Sequence, residues 1–370
     1  MLEAAGLHKS FETADGRVTA VDDVTFSIAA GQAFTLLGPS GCGKTTALRC
    51  IAGLERPDAG VITLDGAELF NAETGTSVPP DRRGIGMVFQ SYAIWPHMNV
   101  FDNVGFPLRI GRRPRSEIRD RVGWALDMVQ LGGFAERDST QLSGGQQQRL
   151  AVARALVQEP RLLLLDEPLS NLDAKLREEM RDELKRLQAA LDLTMLYVTH
   201  DQTEAIVLSD RIAVMSEGRI LQEGPPREIY ARPRSPFVAG FVGSSNLMEG
   251  VVTESLGEGR FLIETDCGSI GATSTAGLRR NESVLVSLRP ELIHLTAARP
   301  PGGADGTVWE VTVEGSRFFG DSTYYDVMCR RRPLRVRAGP HAGFDPGSRA
   351  YAVIATADCV CVPTGDADHG

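Results

Sequence analysis

The chain is poor in cysteine, lysine and aromatic residues, and it contains no long apolar run. Its six cysteines lie at irregular spacings, which is typical of a protein from a reducing compartment. No window approaches the roughly 18 consecutive apolar residues of a membrane-spanning helix. The first residues also lack the charged and apolar regions of a signal peptide. The sequence therefore predicts a soluble, cytoplasmic protein, with Cys359 and Cys361 as packed strand residues rather than metal ligands.

Charge and composition exclude further classes of protein. The formal net charge of −9 and a pI near 5.3 argue against a dedicated nucleic-acid binder, because that partner favours a basic face. With 42% hydrophobic and 24% charged residues, the chain is neither disordered nor collagen-like. Its 370 residues are too many for one compact domain, so two domains are expected.

The first 240 residues mix short apolar runs with helical stretches, which is typical of an α/β domain built on buried parallel strands. The runs predicted as strands are residues 24–28, 33–37, 162–165, 196–198 and 212–215. About residues 91–158 have the spacing of helix faces and predict a helical insertion. From residue 241 to 370, short β-prone segments alternate with turn residues, which predicts a small β-barrel or sandwich.

A glycine-rich segment follows the apolar run 33–37 and leads into a predicted helix. It satisfies the pattern G-x-x-x-x-G-K-[ST], and glycines there let backbone N–H groups converge on phosphate oxygens. Lys44 offers a charge to the β- and γ-phosphates, and the Thr45 hydroxyl is suited to Mg²⁺. The predicted nucleotide-binding residues are Gly38, Pro39, Ser40, Gly41, Cys42, Gly43, Lys44, Thr45 and Thr46.

Two carboxylates follow the run of four leucines at 162–165. We interpret Asp166 as part of a magnesium shell and Glu167 as the base that takes a proton from the attacking water. The alternative is that the pair caps a following helix.

A second anion cradle precedes another predicted helix. Its serine and two glycines suit a helix N-terminus that binds anions, but it has no lysine and no carboxylate pair beside it. One solution is that it completes the phosphate loop of a second copy, in a head-to-tail homodimer with two composite sites. The residues of this cradle are Ser143, Gly144, Gly145 and Gln146.

Taken together, these motifs resemble those of the ATP-binding subunits of ABC transporters. The resemblance covers about residues 1–240, and the remainder resembles the C-terminal TOBE-type domain of importer ATPases. It implies an α/β P-loop NTPase fold, with a RecA-like core and a helical insertion, followed by an all-β, OB-like domain. It also implies ATP and Mg²⁺ as cofactors, and Lys44, Glu167 and His200 as catalytic residues.

The resemblance gives roles to further residues. It implies that Phe11 stacks on adenine, although Phe11 as ordinary core is the alternative. Gln90 would sense the magnesium, which it would hold with Thr45 and Asp166. Asp173 would belong to the turn that follows the catalytic glutamate, and His200 would reach the γ-phosphate.

The same resemblance implies partners: integral membrane permease subunits and, indirectly, an extracytoplasmic solute-binding protein, with the chain peripheral at the cytoplasmic face of the inner membrane. The apolar loop 91–97 is interpreted as a groove wall for a permease helix, against the alternative of a packed loop. The solute is expected to be ferric iron, a polyamine or a phosphonate. Alternatives are a sugar importer ATPase, an exporter, a soluble ABC ATPase not coupled to transport, or a chiefly regulatory chain whose β-domain senses a ligand.

Overall fold

A computed structural model describes residues 1–14, 16–300 and 306–364. The chain divides into two compact units, Met1–Pro226 and Arg227–Gly370. No helix within the described ranges is both long and apolar enough to cross a membrane.

The first unit contains eleven strands and six helices among its described residues. The strands are β1 (Leu2–Thr13), β2 (Gly16–Ile28), β3 (Ala33–Leu37), β4 (Ala59–Leu64), β5 (Ala67–Asn71), β6 (Thr76–Ser77), β7 (Ile85–Val88), β8 (Leu162–Asp166), β9 (Met195–Thr199), β10 (Arg211–Ser216) and β11 (Arg219–Gly224). The helices are α1 (Lys44–Ala52), α2 (Val100–Ile110), α3 (Arg115–Met128), α4 (Gly144–Leu156), α5 (Ala174–Leu191) and α6 (Gln202–Leu208).

The central sheet of this unit has the strand order β11-β10-β3-β9-β8-β7. Its strands from β10 to β7 are parallel, and β11 closes the edge as an antiparallel hairpin partner of β10. Every residue of β3, β8 and β9 is buried. Alternate leucines of β8 enter two different apolar clusters, one on each face, which explains the unbroken leucine run. The predicted parallel strands at 33–37, 162–165, 196–198 and 212–215 are confirmed.

The prediction that residues 24–28 form a parallel strand is wrong. They belong to β2, in an antiparallel sheet of order β2-β1-β4-β5-β6. The end of β2 alternates buried and exposed residues, because only one face of this sheet packs on the core.

Helices α2, α3 and α4 form the predicted helical insertion. On α3 the buried positions are Ile118, Val122, Ala125 and Leu126, at the spacing of one helix face. They join the same apolar cluster as Leu163 and Leu165 of β8, so the insertion and the parallel sheet share a core.

The second unit is built mainly of β-strands, as predicted. Two short helices come first, α7 (Pro226–Ala231), which begins at the boundary, and α8 (Pro236–Phe241). A closed barrel is formed by β12 (Asn246–Gly257), β13 (Arg260–Thr265), β14 (Gly268–Thr273), β15 (Ser283–Leu288) and β21 (Cys359–Pro363). A five-stranded sheet is formed by β16 (His294–Thr296), β17 (Gly306–Phe318), β18 (Thr323–Cys329), β19 (Arg332–Ala338) and β20 (Arg349–Ala355).

Cys359 and Cys361 lie on β21 with no exposed surface, so their prediction as packed strand residues is confirmed.

Candidate active site

The phosphate loop joins the buried strand β3 to helix α1. Gly41 and Gly43 have φ values of 82° and 102°, in the left-handed region that favours glycine. A Cβ on Gly43 would lie 2.0 Å from the carbonyl oxygen of Ala20, so no larger residue fits there. The loop therefore curls in front of the α1 N-terminus, which is the arrangement that binds phosphate.

Lys44 is 4% exposed and folds back over the loop. Its Nζ donates to the carbonyl oxygens of Gly38 and Pro39, at 2.8 Å each, and lies 3.7 Å from Cys42 Sγ. An ammonium that is held only by neutral groups keeps its charge available for an anionic ligand. Around it, Gly41 and Ser40 are exposed, whereas Thr46 is half-buried on the first turn of α1.

Thr45 and Asp166 meet at the carboxyl end of the parallel sheet. The Thr45 hydroxyl donates to Asp166 Oδ1 at 2.9 Å, across 121 positions of sequence. Asp166 is 4% exposed, and this burial raises the pKa of its carboxyl, which the Thr45 hydrogen bond and the charge of Arg49 oppose. A hydroxyl and a buried carboxylate side by side are the oxygen ligands that Mg²⁺ prefers.

Glu167 and His200, both predicted to be catalytic, contact each other. His200 Nδ1 lies 3.1 Å from Glu167 Oε2, with the imidazole half-exposed and the carboxylate nearly buried. Glu167 has a φ of 44°, a strained value for a residue with a side chain, and its N–H donates to the carbonyl oxygen of Val198 at 3.0 Å. The backbone thus holds Glu167 at the end of β9, where its carboxylate meets His200.

Gln90 is linked to the turn that carries Glu167. Its Nε2 lies 3.5 Å from Ser170 Oγ, and Ser170 Oγ donates to the Glu167 carbonyl oxygen at 2.9 Å. Asn171 Nδ2 donates to the Gln90 carbonyl oxygen at 2.9 Å. Among the described residues, no hydrogen bond joins the Gln90 side chain to Thr45 or Asp166, so its predicted share in a metal shell stays a prediction.

Ser143 caps helix α4. Its N–H donates to the Gln146 side chain at 3.0 Å, and its Oγ accepts from the Gln146 N–H at 3.4 Å, a reciprocal capping box. Ser143 and Gly144 are exposed, whereas Gly145 is buried against the Leu176 side chain. A Cβ on Gly145 would lie only 2.8 Å from that side chain. Among the described residues, no hydrogen bond joins residues 143–146 to the phosphate loop of the same chain.

Phe11 and Asp173 lie apart from these clusters. Phe11 is 36% exposed on β1, with Lys9 Nζ 5.0 Å from its ring centroid, so the alternative that Phe11 is ordinary core is wrong. Its stacking on adenine stays a prediction. Asp173 caps helix α5 by accepting from the Leu176 N–H at 3.0 Å.

Sequence reasoning missed a buried polar cluster behind His200. Glu204 is 2% exposed and accepts from the hydroxyls of Tyr197 at 2.9 Å and Thr199 at 2.7 Å. Arg177 Nε lies 3.9 Å from Glu204, and its Nη2 donates to the Leu172 carbonyl oxygen at 2.9 Å. Burial raises the pKa of Glu204. The three elements meet only in the tertiary fold, so no local pattern predicts this cluster.

Comparison with known families agrees with this geometry. The ABC transporter family matches residues 21–170, and the TOBE domain family matches residues 286–362. The chain is 45% identical to the spermidine/putrescine import ATP-binding protein PotA of Mesorhizobium japonicum, over 95% of each chain. It is also 45% identical to PotA of Chromobacterium violaceum, over 88% of each chain.

Solved structures resemble the first part of the chain. The dimeric, post-hydrolysis structure of the ATP-binding cassette MJ0796 bound to ADP and Pi is 32% identical, with a TM-score of 0.54. The match covers 61% of this chain and 99% of that one. The structure of cbiO1 from Clostridium perfringens, part of the ABC transporter complex cbiONQ, is 31% identical, with a TM-score of 0.55, over 62% and 90% of the two chains.

Proposed function

The chain belongs to the ATP-binding subunits of ABC importers, and from that premise we propose that its ATP hydrolysis drives polyamine uptake through membrane partners. One structural observation carries the proposal: Lys44, the Thr45–Asp166 pair and the Glu167–His200 pair all lie at or near the carboxyl ends of adjacent parallel strands. Ligands of open α/β sheets bind at that edge.

Each of these groups has a part in hydrolysis. Lys44 and the N–H groups of the phosphate loop neutralise the β- and γ-phosphates, whose charge shifts during the reaction. Glu167 accepts a proton from the attacking water, and His200 donates to the γ-phosphate while it holds the Glu167 carboxylate in place. Phe11 offers its exposed ring to the adenine.

Thr45 and Asp166 would hold Mg²⁺, with Gln90 as a further ligand. The fit rests on the 2.9 Å contact between hydroxyl and carboxylate at the foot of the phosphate loop. When bound, the ion would neutralise negative charge on the phosphates.

The active unit is a head-to-tail homodimer. Ser143 is exposed at the N-terminus of α4, yet the phosphate loop of its own chain does not use it. Gly144, Gly145 and Gln146 would complete the ATP site of the partner, and Asp173 would lie near the same interface. The dimeric state of the MJ0796 cassette, to which this chain is similar, supports the arrangement.

Permease subunits are the membrane partners, with the chain peripheral at the cytoplasmic face and a solute-binding protein on the other side. Loop 91–97 would form the docking wall: Ala93, Pro96 and His97 are exposed, while Trp95 packs on Phe106 with ring centroids 4.4 Å apart. An aromatic wall with exposed neighbours suits an incoming helix.

Polyamine is the solute that the relatives favour, since PotA proteins match nearly the whole chain and carry spermidine/putrescine import in their names. The direct test is uptake of labelled spermidine and putrescine by cells that lack the chain and receive it on a plasmid. The wild type should restore uptake and Lys44→Ala should not, whereas Lys185→Ala, at a half-exposed surface lysine, is the matched control. Restored uptake of ferric iron or sugar instead would overturn the solute assignment.

A further inference from the structure

Arg154 of helix α4 holds the loop that follows Gln90. Its Nη1 donates to the Ala93 carbonyl oxygen and its Nη2 to the Tyr92 carbonyl oxygen, both at 2.6 Å. Its Cζ also lies 4.6 Å from the ring centroid of Trp95. A planar guanidinium makes two parallel hydrogen bonds and a stacking contact at once, which a lysine cannot do.

The held segment has a strained conformation. Tyr92 and Ala93 have φ values of 60° and 47°, two successive non-glycine residues in the left-handed region. Tyr92 Oη is buried and finds no hydrogen-bond partner in the described part of the chain. Both features raise the free energy of this loop conformation, so it persists only because other contacts hold it.

Arg154 itself is placed at a cost. Burial lowers the pKa of its guanidinium, and no carboxylate within the described residues forms an ion pair with it. The partners of this desolvated cation are two carbonyl oxygens and an indole. An apolar residue in its place would give the fold a similar stability. What Arg154 adds is a specific link between α4 and the loop.

The loop is also tied at both ends. Asn171 and Ser170, next to the catalytic turn, bond Gln90 on one side. On the other side, Asn103 Oδ1 accepts from the Trp95 N–H at 3.0 Å and its Nδ2 donates to the Trp95 carbonyl oxygen at 3.1 Å. Arg154 is thus a hydrogen-bonded contact that joins the middle of this loop to α4.

We infer that Arg154 is a positioning residue that couples the signature helix α4 to the Gln90 loop. The inference rests on the proposed composite site, in which Ser143, about 16 Å before Arg154 along the helix axis, binds the nucleotide held by the partner. When nucleotide pulls on the N-terminus of α4, Arg154 carries that displacement to Tyr92 and Ala93. The strained loop 91–97, which forms the proposed docking wall, then shifts together with Gln90 before it.

The test uses the full chain with Glu167→Gln, so that Mg²⁺-ATP closes the dimer and is not consumed. Trp124→Phe and Trp309→Phe leave Trp95 as the only tryptophan, beside Arg154. Size-exclusion chromatography reports ATP-driven dimerisation, and Trp95 emission reports the loop. Arg154→Lys keeps the positive charge but lacks the planar guanidinium that makes two hydrogen bonds. The matched control is Arg149→Ala, on the same helix, where the arginine bonds the Gln130 side chain.

We expect the parent and Arg149→Ala to dimerise with ATP and to change their Trp95 emission. Arg154→Lys should dimerise but lose most of the emission change. With Glu167 restored, its kcat should fall about tenfold or more while KM for ATP stays nearly constant, because nucleotide binding is untouched. Ala93→Gly, which adopts a positive φ without steric strain, should lower both the emission change and kcat in the chain that keeps Arg154, because it removes the strain that Arg154 holds.

If Arg154→Lys matches Arg149→Ala in both emission and kcat while the dimer forms, the coupling role is wrong and the proposed function stands. If the parent itself forms no ATP-driven dimer, the composite site is wrong and this inference falls with it. Should Arg154→Lys fail to fold, Ala93→Gly alone decides: it should reduce the Trp95 response, and an unchanged response overturns the inference.

Discussion

Two helix N-termini in this chain are built to receive anions, and they differ in how complete they are. The N-terminus of α1 has glycines at positive φ, a buried lysine and a carboxylate–hydroxyl pair beside it. The N-terminus of α4 has a serine cap and two glycines at ordinary φ, and it is exposed. The first is a site that one chain assembles by itself; the second supplies donors and nothing that would hold a triphosphate alone.

The two helix N-termini are stabilised by different kinds of contact. The α1 loop depends on close backbone contact with the neighbouring strands, since Gly43 lies against Ala20 and Gly38 against Met215. The α4 cap satisfies itself locally through the Ser143–Gln146 box. A self-sufficient cap stays folded without a ligand, which the proposed head-to-tail dimer requires.

The largest effect is expected from Glu167→Gln, which removes the proposed base beside the phosphate loop. Turnover should fall about a thousandfold, because general-base catalysis contributes that order of magnitude. ATP binding should persist, and the closed dimer should appear by size-exclusion chromatography with ATP. Glu159→Gln, at an exposed glutamate paired with Arg121, is the control and should behave as wild type. Hydrolysis at the wild-type rate would show that Glu167 is not the base.

A mixture of two inactive variants tests whether the α4 N-terminus of one chain completes the ATP site of the other. Lys44→Ala lacks the α1 cation and Ser143→Arg blocks the α4 cap, so each homodimer should be inactive. Their heterodimer keeps one intact composite site and should regain nucleotide-dependent association, together with part of the hydrolysis. The measurement is ATPase rate and dimer fraction against mixing ratio. No gain in either quantity would count against a head-to-tail site.

His200→Ala should lower kcat about a hundredfold, less than Glu167→Gln, because it removes a donor and a positioning contact rather than the base. The imidazole is half-exposed, so the melting temperature should hardly change. His294→Ala, at an exposed histidine of the second unit, is the control for both measurements. A large loss of stability in His200→Ala would instead indicate a structural role.

Matched glycine substitutions compare the two helix ends directly. Gly43→Ala should destabilise the fold by about 2 kcal/mol or more, since a Cβ there meets a backbone oxygen at positive φ. Gly144→Ala, whose Cβ would lie 3.5 Å from the Leu172 side chain, should change stability by less than about 1 kcal/mol. Urea denaturation of both variants gives the two values. Equal losses would mean that both ends depend on backbone contact to the same degree.

The smallest expected effect is the contribution of Glu204 to the pH dependence of the unfolding free energy. Because burial raises the pKa of Glu204, the folded chain holds this proton up to a higher pH than the unfolded chain, whose value is near 4.5. Stability from this group is therefore lost as pH rises above 4.5. Glu204→Gln cannot titrate, so the difference in unfolding free energy between wild type and variant should move in the variant's favour from pH 5 to pH 8. A difference independent of pH would contradict the shift.

Much of the site was predictable because its motifs are local. The phosphate loop, the Asp166–Glu167 pair and the Ser143 cap each depend on residues within one strand-turn-helix unit, where spacing alone fixes the backbone. The leucine run of β8 also predicted a strand buried on both faces. The prediction of a parallel strand at residues 24–28 was wrong, because a short alternating run does not indicate which sheet a strand joins.

The chemistry of each cradle, and the order of the strands and helices that carry it, can be inferred from the sequence alone because both depend on neighbours in the chain. The contacts between distant side chains become visible in the folded chain: Thr45 with Asp166, Arg177 with Glu204, and Arg154 with the carbonyl oxygens of Tyr92 and Ala93. Such pairs join elements far apart in sequence, and their distances follow from sheet order and helix packing rather than from any local pattern.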